Sequence, residues 1–423
     1  MDRPPVVIIG AGPAGLAAAA HLVGRGIDPL VLEAGPAPGA AVREWGHVRL
    51  FSRWGELVDA AAEELLAPTG WTVPDRDAYP TGAEWARDYL QPLADVLGDR
   101  VRVGSRVVGV ARRGRDRVAD AGRAAEPLTV RLGSAERITA RAVIDASGTW
   151  TAPNPLGGDG LPALGEDAAA DRISYRLPDL ADPTVRARYA GRRTAVAGSG
   201  HSALTALAEL AALAEEESGA RVTWLLRRGE VGNALGGGAA DQLPARGALG
   251  QRAAQAVAAG HVTIVPSFRT ATIARVDGGL VLESFDGARV GPVDEVLALT
   301  GFRPDLSMHA EVRLDLDPVL QAPRALAPLI DPNVHSCGTV YPHGAAELAQ
   351  PEPGVYLVGM KSYGRAPTYL SLTGYEQVRS VVAEIAGDRA AAGRVELVLP
   401  ETGVCSGGGL ATEPAAATAG CCG

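Results

Sequence analysis

Val6-Val7-Ile8-Ile9-Gly10-Ala11-Gly12-Pro13-Ala14-Gly15 is the stretch that decides the fold. The short apolar run reads as a buried parallel strand, and the glycines that follow read as a tight turn into a helix. Gly10 allows the turn, Gly12 lets backbone approach a pyrophosphate, and Gly15 lets the helix pack close to the strand. The helix continues through Leu16–Val23. Its N-terminus, at Pro13 and Ala14, offers free N–H groups and the positive end of the helix dipole to a phosphate. A second apolar strand, Pro29–Leu32, runs into Glu33 and Ala34, where the carboxylate is placed to bind ribose hydroxyls. Strand, turn, helix, strand and terminal acid in this order predict a dinucleotide site, without saying which dinucleotide.

The pattern returns once. Thr194–Ala197 reads as a strand, Gly198-Ser199-Gly200-His201-Ser202-Ala203 as the turn, and Leu204–Ala214 as the helix. The next strand, Val222–Leu226, ends not in an acid but in Arg227-Arg228. Guanidinium groups there favour a 2′-phosphate, so this second site is expected to take NADPH rather than NADH. That assignment leaves FAD for the first.

Composition bounds the class. The 423 residues suffice for two or three domains. With 47% hydrophobic and 21% charged residues the chain is of ordinary globular type. A net charge of -9 argues against a general nucleic-acid binder. No apolar stretch approaches a bilayer span, and Met1 leads almost directly into the first strand. A cytoplasmic protein with no membrane or nucleic-acid partner is the expectation.

Between the fingerprints, Trp45-Gly46-His47-Val48-Arg49-Leu50-Phe51-Ser52, with Trp54 close behind, gathers aromatics in an aromatic-poor chain. Arg43, Trp45, Leu50 and Phe51 either wall a flat ring system or form a satellite hydrophobic cluster. A helix over Glu84–Leu97 is capped by Thr81. Val101–Val110 and Leu128–Leu132 read as strands around a mobile charged loop, Arg112–Glu126. Ala142–Asp145 returns the chain to the first sheet and runs into the small-residue turn Ala146-Ser147-Gly148-Thr149. The stretch Glu230–Ala248 reads as a loop over the nicotinamide site. Val262–Val265, Thr272–Val276, Leu280–Ser284 and Asp294–Leu299 read as strands, the last running into Thr300-Gly301. Val355–Gly359 is a further strand, and Tyr369–Ile385 a helix. The fold class is therefore α/β, with two Rossmann-type dinucleotide-binding domains. Residues 1–155 and 301–400 would form the FAD domain, 156–300 an inserted NADPH domain, and 401–423 a flexible tail.

Two such fingerprints in this order resemble the flavin-containing monooxygenase and thioredoxin-reductase-like flavoproteins. The residues carrying the likeness are Gly10–Gly15 with Glu33, Ala146–Thr149, Gly198–Ala203 with Arg227 and Arg228, and Leu299–Asp305. The resemblance implies hydride transfer from NADPH to FAD. The chain departs from the group in three places. The monooxygenase motif FxGxxxH is missing, so is a CxxC, and the C-terminal Gly-Asp is replaced by Gly359-Met360-Lys361-Ser362-Tyr363. Gly359, Met360, Lys361 and Tyr363 are nonetheless expected at the flavin. Across His201–Ala203, His335–Thr339 and Lys361–Pro367 the chain is most similar to the flavoprotein monooxygenases found beside bacterial arsenic-resistance genes. That likeness implies a flavin C4a-hydroperoxide, formed with O₂, acting on arsenite, an organoarsenical or a thiol.

The cysteines are unevenly spread. Cys337, Cys405, Cys421 and Cys422 all lie beyond residue 300. Cys421-Cys422 on a flexible arm suits a soft thiophilic centre or dithiol exchange, with Cys405 as a third metalloid ligand. Such an arm would serve its own flavin or that of a partner in a homodimer. Cys337 is flanked by His335 and His343, which are placed to poise a thiolate or move protons; a buried structural cysteine and loop histidines are the competing reading. A flavin-linked dithiol or metalloid reductase, and a redox-sensing flavoprotein, are thus the alternatives to a monooxygenase.

Overall fold

Both glycine turns sit at the carboxyl ends of parallel sheets. The structure, a computed structural model, describes residues 3–229, 234–235, 244–334, 342–367 and 369–397. Its strands, in chain order, begin with β1 (Val6–Ile9), β2 (Pro29–Leu32), β3 (Val101–Arg102) and β4 (Val107–Arg112). Then come β5 (Leu128–Leu132), β6 (Arg137–Ala140), β7 (Ala142–Asp145), β8 (Ile173–Ser174), β9 (Arg193–Ala197) and β10 (Arg221–Leu225). The last are β11 (Val262–Val265), β12 (Thr270–Val276), β13 (Gly279–Ser284), β14 (Arg289–Val293), β15 (Glu295–Ala298) and β16 (Val355–Leu357).

The first sheet has the order β16-β7-β1-β2-β3 and is parallel throughout. The second, β11-β10-β9-β15-β8, is parallel as well. The antiparallel sheets β4-β5-β6 and β12-β13-β14 accompany them. The chain leaves the first sheet after β7, builds the second, and returns through β16. Strand order reverses about β1 in one sheet and about β9 in the other, and such switch points open a crevice beyond the strand ends.

The continuous apolar run of β1 follows from burial on both faces. Val6 and Ile8 pack with the helices Pro13–Gly24 and Ser371–Ile385. Val7 and Ile9 pack with Val110, Leu128 and Val130 of the small sheet. The strand expected over Val101–Val110 splits: β3 joins the first sheet and β4 the small antiparallel one. Residues 244–248, expected in a loop, open the helix Pro244–Ala258.

The charged segment Arg112–Glu126 is not a mobile loop. Arg112 and Arg123 are buried and converge on the buried carboxylate of Glu352, at 2.7 Å from Nε of Arg112 and 2.6 Å from Nη2 of Arg123. Arg112 also donates to Pro353 O, so the knot fixes the chain just before β16. Burial opposes ionisation of Glu352, but its bonds to the two arginines and the Arg313 N–H outweigh this and hold it below the usual range. The stabilisation is therefore fully present above the usual glutamate value of about 4.3 and lost as pH falls through the depressed value. Glu352→Gln is expected to cost about 3–5 kcal/mol by leaving buried guanidiniums uncompensated. Melting curves should show a lower Tm at pH 7 and a smaller acid-induced decline than in the parent.

Candidate functional site

The first turn is built by close approach. Gly10 has φ +99°, and a Cβ there would lie 2.9 Å from Ala146 O. A Cβ on Gly15 would lie 2.0 Å from Gly10 O. A Cβ on Gly12, by contrast, would meet nothing within 4 Å, because this glycine faces the cavity. Glu33 is held at the cavity wall by two backbone donors, Ala11 N–H at 2.8 Å and Gly35 N–H at 2.7 Å. The second turn repeats the design: a Cβ on Gly198 would lie 2.2 Å from Leu299 O, while Gly200 opens onto free space.

One cavity of about 1370 Å³ joins the two turns. That exceeds the roughly 300–1,000 Å³ of a site for a single small ligand. Its wall includes Gly10, Gly12, Pro13, Ala14, Glu33, Ala34, Trp45, Leu50, Phe51, Ser147 and Gly148 from the first sheet's side. Gly198, Ser199, Gly200, His201, Ser202, Arg227 and Arg228 line it from the second. Thr300, Gly301, Gly359, Met360 and Lys361 lie at the junction. The helix Pro244–Ala258 adds Arg246, a further buried cation lining the cavity. Sequence reading missed it by placing residues 230–248 in a loop.

Four expected residues lie elsewhere. Arg43 donates to Pro38 O and Gln91 Oε1, which turns it away from the cavity. Trp54 is buried in the hydrophobic core that holds Val6 and Ile8 of β1. Tyr363 is buried against Tyr369 and His343. His343 is buried as well, and accepts from Nε2 of Gln377 at 2.8 Å; Oε1 of Gln377 in turn accepts the Gly359 N–H at 2.7 Å. His343 therefore braces the Gly359 turn from behind. His335, Cys337, Cys405, Cys421 and Cys422 lie outside the described residues. Among the described residues, no group of His, Cys, Asp and Glu is placed to hold a metal ion, and no helix is long and apolar enough to cross a membrane.

The structure adds a buried charge cluster under the cavity floor. Asp145, the last residue of β7, accepts a bond from His309 Nε2 at 2.7 Å and one from Ser147 N–H at 2.9 Å. Lys361 Nζ lies 3.7 Å from Asp145 Oδ2 and donates to Asp305 O at 2.7 Å. Burial opposes the Asp145 charge, yet Lys361, His309 and Ser147 together hold its carboxyl far below the usual range. The lysine beside Met360 thus supplies a cation to an acid on β7, in the stretch where the resemblance anticipates an acid. An aspartate closing an apolar strand was the sequence signal for it. Lys361→Met should destabilise the fold by about 3–5 kcal/mol, since it leaves a buried carboxylate undercompensated. Lys361→Arg should recover part of that loss in the same melting experiment.

At the junction of the two sheets, the Arg176 guanidinium stacks on Trp150 at 3.9 Å and Phe302 at 5.0 Å. It donates to Trp150 O at 2.6 Å, while Trp150 Nε1 donates to Glu44 Oε2 at 2.6 Å. Phe51 from the first side meets the His201 ring from the second at 4.9 Å. The wall between the turns is accordingly aromatic: Trp45, Phe51, Trp85, Trp150 and Phe302.

Two dinucleotide turns facing one aromatic cavity define a flavoprotein oxidoreductase with a pyridine nucleotide as its second cofactor. The chain belongs to the pyridine nucleotide-disulphide oxidoreductase family, whose sequence pattern matches residues 7–324. It is an FAD-dependent oxidoreductase that uses NADPH. A search of curated protein sequences finds no match. Among solved structures, bacillithiol disulfide reductase from Bacillus cereus is similar with a TM-score of 0.66 at 20% identity, over 91% of this chain and 99% of that one. A mutant flavin monooxygenase from Stenotrophomonas maltophilia matches with a TM-score of 0.60 at 25% identity, over 91% and 100%. Thioredoxin reductase from Lactococcus lactis matches with a TM-score of 0.57 at 17% identity, over 90% and 100%.

Proposed function

We propose that the protein is an NADPH-driven, FAD-dependent monooxygenase acting on a soft nucleophile: arsenite, an organoarsenical or a thiol. The observation that carries the reading is the single cavity in which both glycine turns share one aromatic wall. Residues 1–155 with 301–400 hold FAD, 156–300 hold NADPH, and 401–423 form the tail. The helix start at Gly12–Ala14 receives the flavin pyrophosphate, and the Glu33 carboxylate receives ribose hydroxyls. Gly200–Ser202 and the cations at Arg227 and Arg228 receive NADPH. Bound FAD supplies the two-electron relay between NADPH and O₂. The aromatic wall excludes water from the reacting atoms. In the balanced reaction the nucleophile gains one oxygen atom. The other leaves as water, with two electrons from NADPH and protons from solvent.

The fold is shared with a flavin monooxygenase and with disulfide reductases alike. The sequence holds no CxxC, which favours oxygen transfer over a vicinal-thiol relay next to the flavin. The adjacent Cys421 and Cys422 support the second reading, a dithiol or metalloid reductase. Replacing both by Ser separates the two. Oxygen transfer should keep parental NADPH turnover with arsenite or thiol, whereas a dithiol reductase would lose it while still passing electrons to O₂.

A further inference from the structure

Each phosphate cradle already has its cations or helix dipole, and one part of the cavity wall is left over. It is built from segments outside both glycine turns: 319–320, 332–333 and 364–367. Arg365 belongs to these segments, Arg303 from the turn after β15 lies close enough to feel its charge, and both line the cavity. Arg303 is half-buried; its Nε donates to Asn154 Oδ1 at 2.8 Å and its Nη2 to Gly160 O at 3.1 Å. The exposed Arg365 donates through Nε to Gln321 Oε1 at 2.7 Å, and its backbone N–H donates to Leu320 O at 2.7 Å. All these acceptors are neutral. Among the described residues no carboxylate forms an ion pair with either guanidinium. Burial, and then the charge of Arg365 itself, push Arg303 below its usual value, so the two cations repel each other across this wall. Elsewhere the chain pairs its cavity-floor cation, Lys361, with Asp145. Arg303 and Arg365 have no such partner among the described residues.

Fixed guanidinium forks without a counter-ion recognise planar anions, carboxylates above all, by paired charge-assisted hydrogen bonds. Beside them, Val319, Leu320, Pro332 and Pro367 present apolar surface. We infer that Arg303 and Arg365 form a subsite for a carboxylate on the substrate, so that the preferred substrate is a small carboxylate-bearing thiol, thioether or arsenic(III)–thiol adduct rather than uncharged arsenite. The soft sulfur or arsenic atom rests on the oxygen-transfer reading above; the carboxylate rests on the two arginines alone.

The test is calorimetric titration of the oxidised, FAD-loaded enzyme, which requires no turnover. The probes are (methylthio)acetate and 2-(methylthio)ethanol, which share a thioether but differ in the carboxylate. The acid is expected to bind at least tenfold more tightly. Arg365→Gln should abolish that preference while leaving flavin content, Tm and NADP⁺ affinity at parental values. Arg303→Gln should do the same, and Arg303→Lys should restore part of it. If Arg303→Gln fails to fold, Arg365→Gln decides alone. Equal affinities for the two probes would overturn the subsite. So would an Arg365→Gln variant that weakens NADP⁺ and spares the acid, because the arginine would then serve the dinucleotide. Neither outcome depends on whether the enzyme transfers oxygen, so this inference and the monooxygenase reading fail separately.

Discussion

Replacing Arg227 and Arg228 together by Gln is expected to lower kcat/KM for NADPH about 100-fold and to leave NADH nearly unchanged. The two side chains follow β10, the parallel neighbour of β9, and line the cavity on the side of the second glycine turn. Hydrogen bonds to a charged group contribute about 1.5–3 kcal/mol each, and 1.4 kcal/mol is a factor of ten. Two lost contacts at the lower bound already give roughly that 100-fold loss. NADH lacks the 2′-phosphate, so it loses nothing that it had. Arg227 is exposed and Arg228 half-buried, so the fold should tolerate the change. Steady-state rates with each nucleotide are the check. Equal losses for both would place the arginines on a part of the cofactor common to the two.

The second large effect is steric. Gly15→Ala puts a methyl group 2.0 Å from Gly10 O, a backbone atom that cannot rotate away. The helix Pro13–Gly24 must then lift from β1, and the N–H groups that face the cavity move with it. Overpacking typically costs about 1–3 kcal/mol, and a backbone clash of this depth belongs at or above the upper end. The variant should purify with less than about a tenth of the parental flavin and a lower Tm, the loss of bound ligand adding to the loss of packing. Gly24→Ala, at the other end of the same helix, is the control. A Cβ there meets nothing within 4 Å, so flavin content should stay at the parental level and stability should rise by about 0.5–1 kcal/mol.

The parts of this protein that repeat a local physical rule were readable from the chain. Val6–Gly15 and Thr194–Ala203 announce strand, turn and helix because backbone sterics force glycine at fixed offsets, and the structure places both turns at strand-order reversals. What sequence reading missed depends on long-range pairing. Glu352 lies more than 200 residues from Arg112 and Arg123, so a charged stretch expected to be mobile is in fact pinned through two buried arginines. Asp145 and His309 are likewise joined only by the return of the chain. Arg303 and Arg365 sit in separate segments, and nothing in either segment reveals the other. Aromatic clusters were the ambiguous case: Trp45 and Phe51 reach the cavity, while Trp54, three residues beyond Phe51, faces the core. Direction, rather than composition, separates them.

The most direct test of oxygen transfer counts three quantities in one vessel: NADPH oxidised, soft nucleophile oxidised, and peroxide released. Arsenite, methylarsonous acid and (methylthio)acetate are the acceptors, and a parallel run with catalase removes any oxidation by free peroxide. A monooxygenase should oxygenate one acceptor molecule per NADPH for at least one of the three, unchanged by catalase. NADPH consumption matched by peroxide, with every acceptor recovered intact, would contradict it.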